Sequence, residues 1–313
     1  MNEKLTEIIN EPNLSWDKSL TNSKDKFLVS LSSSTINQII KNRSTLEEND
    51  PNQFELLKDE ILIFKKMLIT GSGFFIIDGK NLNVFSKKEM EQLFSIISQA
   101  LGDLYIQNIK NEKLVIITDE GKSMKTGGRY HQTKEGGSFH TDSPQWSQVP
   151  DFIGLLCIRP AKIGGVSKFV SAYTIHNEIF KLNSEFIKIL YTNFHFDKRG
   201  EFNENESPTT FEPIFKYENN ELKFRYLRDY IDAGQKIVNQ SLSQEQITIL
   251  NELDKIIHDE NISVSYDLNE FDMAFFNNHR IIHGRTSFED YDEIEKKRYM
   301  IRAWIKDKIN TSF

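Results

Sequence analysis

Cysteine is almost absent from this chain of 313 residues: Cys157 is the single one, so no disulfide can form within the chain. Cys157 lies in the apolar run FIGLLCI, where we expect it to pack as a small hydrophobic side chain. The sequence also lacks an apolar run of the roughly 20 residues that a membrane helix needs, and its first residues lack the apolar centre of a signal peptide. We therefore expect a cytoplasmic protein without a membrane partner.

A basic excess is missing as well. The 39 lysine and arginine residues are outnumbered by 46 aspartate and glutamate residues, which gives a net charge of −7. Proteins that bind nucleic acids or anionic membranes usually carry a basic surface, so the composition argues against both partners. A local cationic pocket for a small molecule remains compatible with this charge.

Internal repeats and long low-complexity linkers are also absent. Apolar residues make up 38% of the chain and aromatic residues 12%, which is enough for the core of a globular protein. We expect a single domain over residues 1–313, in which a mainly helical part (about residues 1–110) packs on a β-rich part (about residues 113–306).

The clearest helix of the first part is SKKEMEQLFSIISQALG, which has apolar residues at helical spacing. Ser86 and Glu89 form a capping box at its start, and Gly102 ends it. A second helix is predicted in DPNQFELLKDEILIFKKMLITG and a short strand in GFFIID. The Gly71–Gly73 segment lacks the lysine and the helix of a phosphate loop, so we interpret it as a turn.

The second part contains many short β-branched or aromatic runs separated by turn residues, such as KLVIITD, DFIGLLCI and RYMIRAWI. Strands at this spacing favour a barrel or jelly roll over a parallel sheet. Two helices interrupt them, one over residues 172–193 and one in SQEQITILNELDKIIHD with a Ser243/Gln246 capping box. The expected class is mainly β with flanking helices (α+β).

Histidine followed two residues later by an acidic residue is a common metal-binding pattern, and about one match is expected here by chance. The chain has four matches: His140/Asp142, His176/Glu178, His195/Asp197 and His258/Glu260. Residues two apart on a helix point in different directions, which excludes the second and fourth pairs and makes them surface or helix-end polar residues. On an extended segment they share a face, so the other two pairs remain.

A third ligand must come from elsewhere, and FFNNHRIIHGRTSF offers His279 in a turn and His283 at the end of a strand. Two histidines and one carboxylate on a β-scaffold leave open positions on a bound Fe(II) ion. Spacing alone leaves open which pair and which of these two histidines would take part.

Four blocks resemble, in order, the TauD/TfdA-like family of Fe(II)- and 2-oxoglutarate-dependent dioxygenases. They are GGSFHTDSP, GGVSKFVSA, FDMAFFNNHRIIHGRTSFED and KKRYMIRAWIK, and they span about residues 130–306. The resemblance implies a double-stranded β-helix (jelly roll) of the clavaminate synthase-like type. It also implies His140, Asp142 and His283 as metal ligands and catalytic residues, with Ser167 and Arg298 binding 2-oxoglutarate. His195 then becomes an ordinary, partly buried strand residue.

By this resemblance the cofactor is Fe(II), with 2-oxoglutarate and O2 as co-substrates, and the reaction releases succinate and CO2. The carboxylate of Asp142 favours hydroxylation over halogenation, because halogenating relatives carry a small residue there. Desaturation or oxidative cyclisation from the same site stays open. Two other classes are a zinc or manganese hydrolase or isomerase and a non-catalytic metabolite-binding module. Arg298 and Ser167 argue against the hydrolase, which needs no receptor for a buried carboxylate.

The expected substrate is a small polar metabolite with a carboxylate or sulfonate group, such as an amino acid derivative. Arg302 lies on the same strand face as Arg298 and is a candidate for pairing with that anion, with a surface ion pair as the alternative. Weaker candidates are Arg225, Arg228, His131 and Gln132. Residues 119–137 form a loop that is either a lid or an ordinary exposed loop. The sequence leaves open whether Arg285, directly after Gly284, supports the site residues or only the fold, and whether the protein forms a homo-oligomer.

Overall fold

The computed structural model of the chain describes residues 4–108, 110–123 and 132–308. Within these ranges the chain forms seven α-helices, and short 3-10 turns connect several of them. The helices are α1 Ser33–Lys41, α2 Glu55–Ile69, α3 Lys87–Leu101, α4 Ala172–Leu182, α5 Ser184–Leu190, α6 Arg228–Ile237 and α7 Gln244–Ile257.

Sixteen strands are found in the same ranges. The first eight are β1 Leu28–Val29, β2 Phe74–Ile77, β3 Asp103–Tyr105, β4 Leu114–Ile117, β5 Phe152–Arg159, β6 Ile163–Gly164, β7 Ser167–Ser171 and β8 Asn193–Asp197. The others are β9 Thr209–Pro213, β10 Phe215–Glu218, β11 Glu221–Phe224, β12 Ser263–Tyr266, β13 Met273–Asn277, β14 Ile281–Arg285, β15 Phe288–Glu289 and β16 Tyr299–Lys306.

Two sheets built from these strands face each other. In the described chain the larger sheet has the order β1-β2-β13-β5-β16-β3, with β4 also paired to β16, and the smaller sheet has the order β12-β7-β14. Phe169 of the smaller sheet stacks on Phe74 of the larger one, with ring centroids 4.9 Å apart, and also contacts Phe276 at 5.7 Å. The two sheets thus enclose a shared aromatic core, and the predicted jelly roll is confirmed.

Helices cover the outer face of the larger sheet, because side chains alternate along each strand. Phe276 points between the sheets, whereas its neighbour Phe275 packs on the other side against Phe75 and against Phe94 of α3. All of these rings are buried. The packing of the N-terminal helical part on this sheet therefore follows directly from the period of two in the strand MAFFN.

The N-terminal part is less purely helical than its sequence predicts. Helices α2 and α3 form as expected, and α3 has the Ser86/Glu89 capping box. The same part also supplies β1, β2 and β3 to the larger sheet, and β2 pairs along its length with β13. The apolar run FFII is buried from both sides, which explains why it lies inside the sheet rather than beside it.

The helix predicted over residues 172–193 is broken at Asn183. This residue has an extended backbone, and its side chain accepts a hydrogen bond from the Glu185 backbone N–H, so it ends α4 and caps α5. Helix α7 forms with the predicted Ser243/Gln246 capping box. His258 lies at the end of α7 as predicted, but the surface position predicted for His176 is wrong. His176 is buried on α4, where its Nε2 donates to the Leu5 carbonyl oxygen at 3.1 Å.

Cys157 is buried in β5 as predicted, and burial raises the pKa of its thiol to about 12. Among the described residues, the helices are all too short or too polar to be candidates for crossing a membrane.

Candidate metal centre and its cavity

His140, Asp142 and His283 come together although their segments are far apart in sequence. The backbone of His140 pairs with that of His283 on β14 in a two-residue bridge, with N–H···O distances of 2.9 and 3.0 Å. Asn278 holds the other end of the segment, because its side chain accepts from the Asp142 N–H (2.7 Å) and donates to the Asp142 carbonyl oxygen (3.0 Å). The potential ligand atoms of the three residues all lie within 4.8 Å of one another.

The two imidazoles face a single carboxylate oxygen. His140 donates from Nδ1 to the Ser138 carbonyl oxygen at 3.1 Å, and its Nε2 faces Asp142 Oδ1 at 3.4 Å. His283 Nε2 lies 3.8 Å from the same oxygen. A backbone partner that fixes one ring nitrogen and presents the other is the usual arrangement of a histidine that binds a metal.

The second carboxylate oxygen of Asp142 is held by the protein. Its Oδ2 accepts from Trp304 Nε1 at 2.5 Å and lies 3.2 Å from Arg302 Nη1. Burial would raise the pKa of Asp142, but Arg302 and the two imidazoles outweigh it and hold this pKa well below its usual range. Burial, together with the nearby His140 and Arg302, lowers the pKa of His283 to about 3.

This donor set fits a ferrous ion. An ionised carboxylate with one oxygen available and two imidazole nitrogens make a 2-His-1-carboxylate site that leaves coordination positions open. In the part of the chain that the structure describes, these three residues are the one group of histidine, cysteine and acidic side chains arranged in this way.

The alternative histidines are engaged elsewhere. His195 Nδ1 lies 2.9 Å from Thr209 Oγ1, and its ring stacks on Phe211. His279 Nε2 lies 2.9 Å from Asp151 Oδ1. Both side chains are therefore fixed at places other than the three-residue cluster.

The cluster opens into a cavity of about 980 Å³ between the sheets. Four residues around β16 line it at every second position, as the alternation of a strand requires: Arg298, Met300, Arg302 and Trp304. Ser167 lines the cavity from β7, where its backbone pairs with that of Arg285 on β14.

Arg298 lies just before β16 and is buried, with its guanidinium 5.1 Å from the centre of the Phe288 ring. Its backbone is fixed on both sides: the N–H donates to Asp290 Oδ1 at 2.7 Å, and the carbonyl oxygen accepts from Thr118 Oγ1 at 3.0 Å. The structure therefore places a held, buried cation in the same cavity as the three clustered residues, in agreement with the position expected from the sequence.

The candidate substrate residues divide into two groups. Arg302 and Gln132 line the cavity, and Gln132 donates to Glu120 Oε2 at 3.0 Å. Arg302 is not the surface ion pair that was the alternative for it, because its side chain is only 12% exposed and contacts Asp142. His131 lies outside the described residues, as do residues 124–130 of the predicted loop.

Arg225 and Arg228 are not among the described residues that line this cavity. Arg225 donates from Nη1 to the carbonyl oxygens of Pro144 and Trp146, both at 2.8 Å, and lines a separate cavity of about 250 Å³. Arg228 binds Asp232 on its own helix α6 and Asn251 and Asp254 on α7. The positions of these two arginines therefore give no support to the prediction that they bind substrate.

Sequence reasoning missed several residues of the site, among them Trp304 and Gln107. Gln107 is buried, donates to the Lys113 and Arg302 carbonyl oxygens, and accepts from Arg302 Nε at 2.8 Å. Trp304 could have been found, since it lies two residues beyond Arg302 and so shares its strand face. Gln107 carried no such signal, because its contacts depend on how a distant loop crosses β16.

A jelly roll with two imidazoles and one carboxylate converging in its interior defines the class of non-haem iron oxygenases. The family described as "Taurine catabolism dioxygenase TauD, TfdA family" matches residues 45–304, and the chain belongs to this family. It is thus a 2-oxoglutarate-dependent iron oxygenase, as its sequence predicts.

Two named proteins are similar to this chain in sequence. The FR-33289 synthase of Streptomyces rubellomurinus is 28% identical over 240 residues, which are 75% of this chain and 69% of that protein. The taurine hydroxylase-like protein SAT17 of Stachybotrys chartarum is 21% identical over 310 residues, which are 92% of this chain and 77% of that protein.

Solved structures show the same fold at low identity. Asparagine oxygenase in complex with Fe(II), 3-hydroxyasparagine and succinate has a TM-score of 0.69 at 14% identity, over 90% of this chain and 93% of that one. The non-heme iron oxygenase OrfP in complex with Fe and alpha-ketoglutaric acid has a TM-score of 0.64 at 13% identity, over 90% and 95%.

Proposed function

We propose that the protein hydroxylates an unactivated C–H bond of a small polar metabolite that carries a carboxylate or sulfonate group, such as an amino acid derivative. The observation that carries this proposal is the convergence of His140, Asp142 and His283 in one cavity with Arg298 and Arg302. The structural neighbours bind hydroxyasparagine with succinate, and L-Arg, which supports an amino acid derivative as substrate.

His140, Asp142 and His283 would hold Fe(II), which supplies, together with 2-oxoglutarate and O2, the oxidising chemistry of the family. The chain itself supplies rigid positions for these groups. The backbone bridge between His140 and His283 and the clamp of Asn278 on Asp142 fix both halves of the site before any ligand binds.

Arg298 and Ser167 are the proposed binding residues for 2-oxoglutarate. An unpaired carboxylate in the interior of the jelly roll would be costly, and a planar guanidinium can pair with it through two hydrogen bonds. Ser167 adds a hydroxyl donor from the facing sheet. The buried position of Arg298 and its fixed backbone favour this role over that of a surface cation.

Arg302 is the proposed partner of the anionic group of the substrate. Its Nε is engaged by Gln107 and its Nη1 by Asp142. Among the described residues none is bonded to its Nη2, which remains a donor for a ligand in the cavity. A substrate bound there would lie beside the metal ligand, which is where a reacting C–H bond is needed. Gln132 is a second candidate contact.

Anaerobic titration with Fe(II) and then 2-oxoglutarate, followed by ultraviolet-visible spectroscopy, tests the assignment. We expect a weak metal-to-ligand band in the wild type and none in Asp142→Ala or His283→Ala. His279→Ala is the matched control and should keep the band, since His279 contacts Asp151 instead. A folded wild type without the band would overturn the proposed function.

The same iron site could also serve desaturation or oxidative cyclisation. Mass spectrometry of the product separates the outcomes, because hydroxylation adds an oxygen atom whereas the alternatives remove hydrogen. A non-catalytic binding module would give neither product nor succinate. A zinc or manganese hydrolase or isomerase would need no 2-oxoglutarate.

We also infer a single catalytic domain over residues 1–313 that acts in the cytoplasm on a small molecule, without nucleic-acid or membrane partners. The net charge of −7 and the buried single cysteine support this inference. The pairing of β2 with β13 supports one domain, because it joins the N-terminal part to the centre of the larger sheet. Light scattering would establish whether the protein forms a homo-oligomer.

A further inference from the structure

The turn that follows Asp142, residues 143–146, is held in place from several sides. Within the turn, the Trp146 N–H donates to the Ser143 carbonyl oxygen at 3.0 Å. Arg225 donates to the carbonyl oxygens on both sides of Gln145, and Thr210 Oγ1 donates to that of Gln145 itself. The backbone of the turn is therefore fixed without any contribution from the side chains of Ser143 and Gln145.

Those two side chains line the cavity and lack protein partners. Ser143 is 7% exposed and Gln145 6%, and neither Ser143 Oγ nor Gln145 Oε1 has a hydrogen-bond partner in the described structure. Buried polar atoms are nearly always paired, so two unsatisfied oxygens in a short turn are unusual. Ser143 also has a φ of 55°, a left-handed conformation that is unfavourable for serine.

Unsatisfied polar atoms and backbone strain cluster where a ligand supplies what the protein lacks. Here they lie directly after Asp142 and in the same cavity as Arg302. The positions proposed for iron and 2-oxoglutarate do not involve either side chain. A third ligand, the substrate, is the molecule that can satisfy these two oxygens.

The chemistry of the two oxygens identifies the group that they would bind. Gln145 Oε1 can only accept a hydrogen bond, so a ligand that satisfies it must donate, and the Ser143 hydroxyl can accept from the same group. Glu201, which accepts from Trp146 Nε1 of the same turn, also lines the cavity and places a carboxylate near it, whereas Arg302 supplies a cation for an anionic group. An ammonium group, with its positive charge and several N–H donors, matches the acceptor side.

We propose that Ser143 and Gln145 form a subsite for the amino group of the substrate, while Arg302 binds its carboxylate or sulfonate. The substrate is then an amino acid or aminosulfonate rather than a simple acid. This inference rests on the proposed oxygenase function, and it assigns the substrate contacts that the family resemblance leaves undefined.

The test uses the anaerobic holoenzyme with Fe(II) and 2-oxoglutarate, whose absorption band shifts when a substrate binds beside the iron. The probes are the common L-amino acids and taurine, each paired with its des-amino counterpart, such as propionate for alanine and ethanesulfonate for taurine. We expect at least one aminated probe to shift the band, with its des-amino counterpart binding about tenfold more weakly or worse.

Gln145→Met keeps the size of the side chain and removes the acceptor. It should weaken the aminated probe about tenfold and leave the des-amino probe unchanged. The matched control is Gln148→Met, an exposed residue of the same segment that does not line this cavity, and it should keep wild-type binding.

The thermal unfolding temperature of the metal-free protein distinguishes a binding role of these side chains from a structural one. Gln145→Met and Ser143→Gly should unfold at or above the wild-type temperature, because they remove an unsatisfied buried group or relieve a strained backbone. A clear drop for both variants would mean that these side chains stabilise the fold, which would overturn the subsite.

The other outcomes of the binding test distinguish a failure of the subsite from a failure of the oxygenase function. Equal binding of aminated and des-amino probes, or no shift with any aminated probe while the iron band is normal, contradicts the subsite alone. Loss of the iron band in the wild type contradicts the oxygenase function instead.

Discussion

The two carboxylate oxygens of Asp142 lie in different environments. Oδ1 faces the imidazoles of His140 and His283, whereas Oδ2 is held by Trp304 and Arg302. A carboxylate held in this way offers a metal one oxygen, so it does not occupy a second coordination position. That matters for a site that must leave room for a bidentate co-substrate and O2.

Replacement of Trp304 by phenylalanine removes the indole N–H and keeps an aromatic ring. We expect Trp304→Phe to lower metal affinity by about 10- to 100-fold, the usual effect of losing a group that orients a metal ligand. Anaerobic titration with Co(II) measures this. Trp146→Phe is the control, since its ring lies 5.3 Å from that of Trp304 but its Nε1 binds Glu201. Equal affinities for the two variants would contradict the role of Trp304.

Arg298→Ala should weaken 2-oxoglutarate binding by about 10- to 100-fold, because a hydrogen bond to a charged group contributes roughly 1.5–3 kcal/mol. Iron binding should be largely retained, because the proposed ligands of the iron are His140, Asp142 and His283. Calorimetric titration of the Fe(II) protein with 2-oxoglutarate measures the loss. Arg43→Ala, whose side chain binds Glu89 and does not line the cavity, should bind 2-oxoglutarate normally. Equal loss of iron and co-substrate binding would show that the role of Arg298 is different.

The sequence predicted the positions of His140, Asp142, His283 and Arg298 because each lies in a block of several characteristic residues. It could not predict that Arg302 bridges Asp142 and Gln107, since that contact depends on strand register and on a loop more than 190 residues away. Nor could it show that Arg225 supports the turn after Asp142 through the carbonyl oxygens of Pro144 and Trp146.

At the scale of elements, the sequence predicted best those helices that begin with a complete capping box. Helices α3 and α7 begin at capping boxes that the sequence displays. Helix α6 begins without a side-chain cap and contains Gly234, which is unfavourable inside a helix, so local signals for it are weak. In the structure a Cβ at Gly234 would lie 2.3 Å from the His195 carbonyl oxygen. The glycine thus permits close packing of α6 on β8, a tertiary reason that no local pattern reveals.

A similar close contact fixes β5 beneath α3 and leads to a stability prediction. A Cβ at Gly154 would lie 2.7 Å from Phe275 Cε1 and 3.1 Å from Phe94 Cε2. Gly154→Ala should therefore destabilise the protein by about 1–3 kcal/mol, as overpacking of a buried site does. Denaturant unfolding measures the change.

Phe275→Leu provides the control for this overpacking, because it removes the nearest ring atoms. The Gly154→Ala/Phe275→Leu double variant should lose less stability than the sum of the single variants, since the leucine leaves space for the new methyl group. Strict additivity would show that the clash is relieved in another way.

At the scale of the whole molecule, the first described residues are tied to the second half of the chain. His176 donates to the Leu5 carbonyl oxygen, and Asn177 binds the backbone of Ile9 on both its N–H and its carbonyl oxygen. Leu5 and Ile9 are buried in the same apolar cluster as α4 and α7. The N-terminal segment is thus part of the core, although its sequence contains little apolar patterning that would predict this.

Burial lowers the pKa of His176, so the stability of the fold should depend on pH through this residue. Below about pH 6.5 the unfolded chain binds a proton that the folded protein does not, and stability falls as pH decreases. His176→Gln, which retains a donor for Leu5, should reduce this loss in urea unfolding of the metal-free protein. An unchanged pH dependence in His176→Gln would contradict the prediction.

Strand β16 follows all the other strands of the described chain in sequence, yet it lies inside the larger sheet, between β5 and the strands β3 and β4. Nascent chains begin to fold from the N-terminus as they leave the ribosome. Here β5 keeps an unpaired edge until residues 299–306 have emerged, and such an edge can pair with other chains. Incomplete translation products would therefore be aggregation-prone and inactive. During this interval of its synthesis the protein would depend on chaperones.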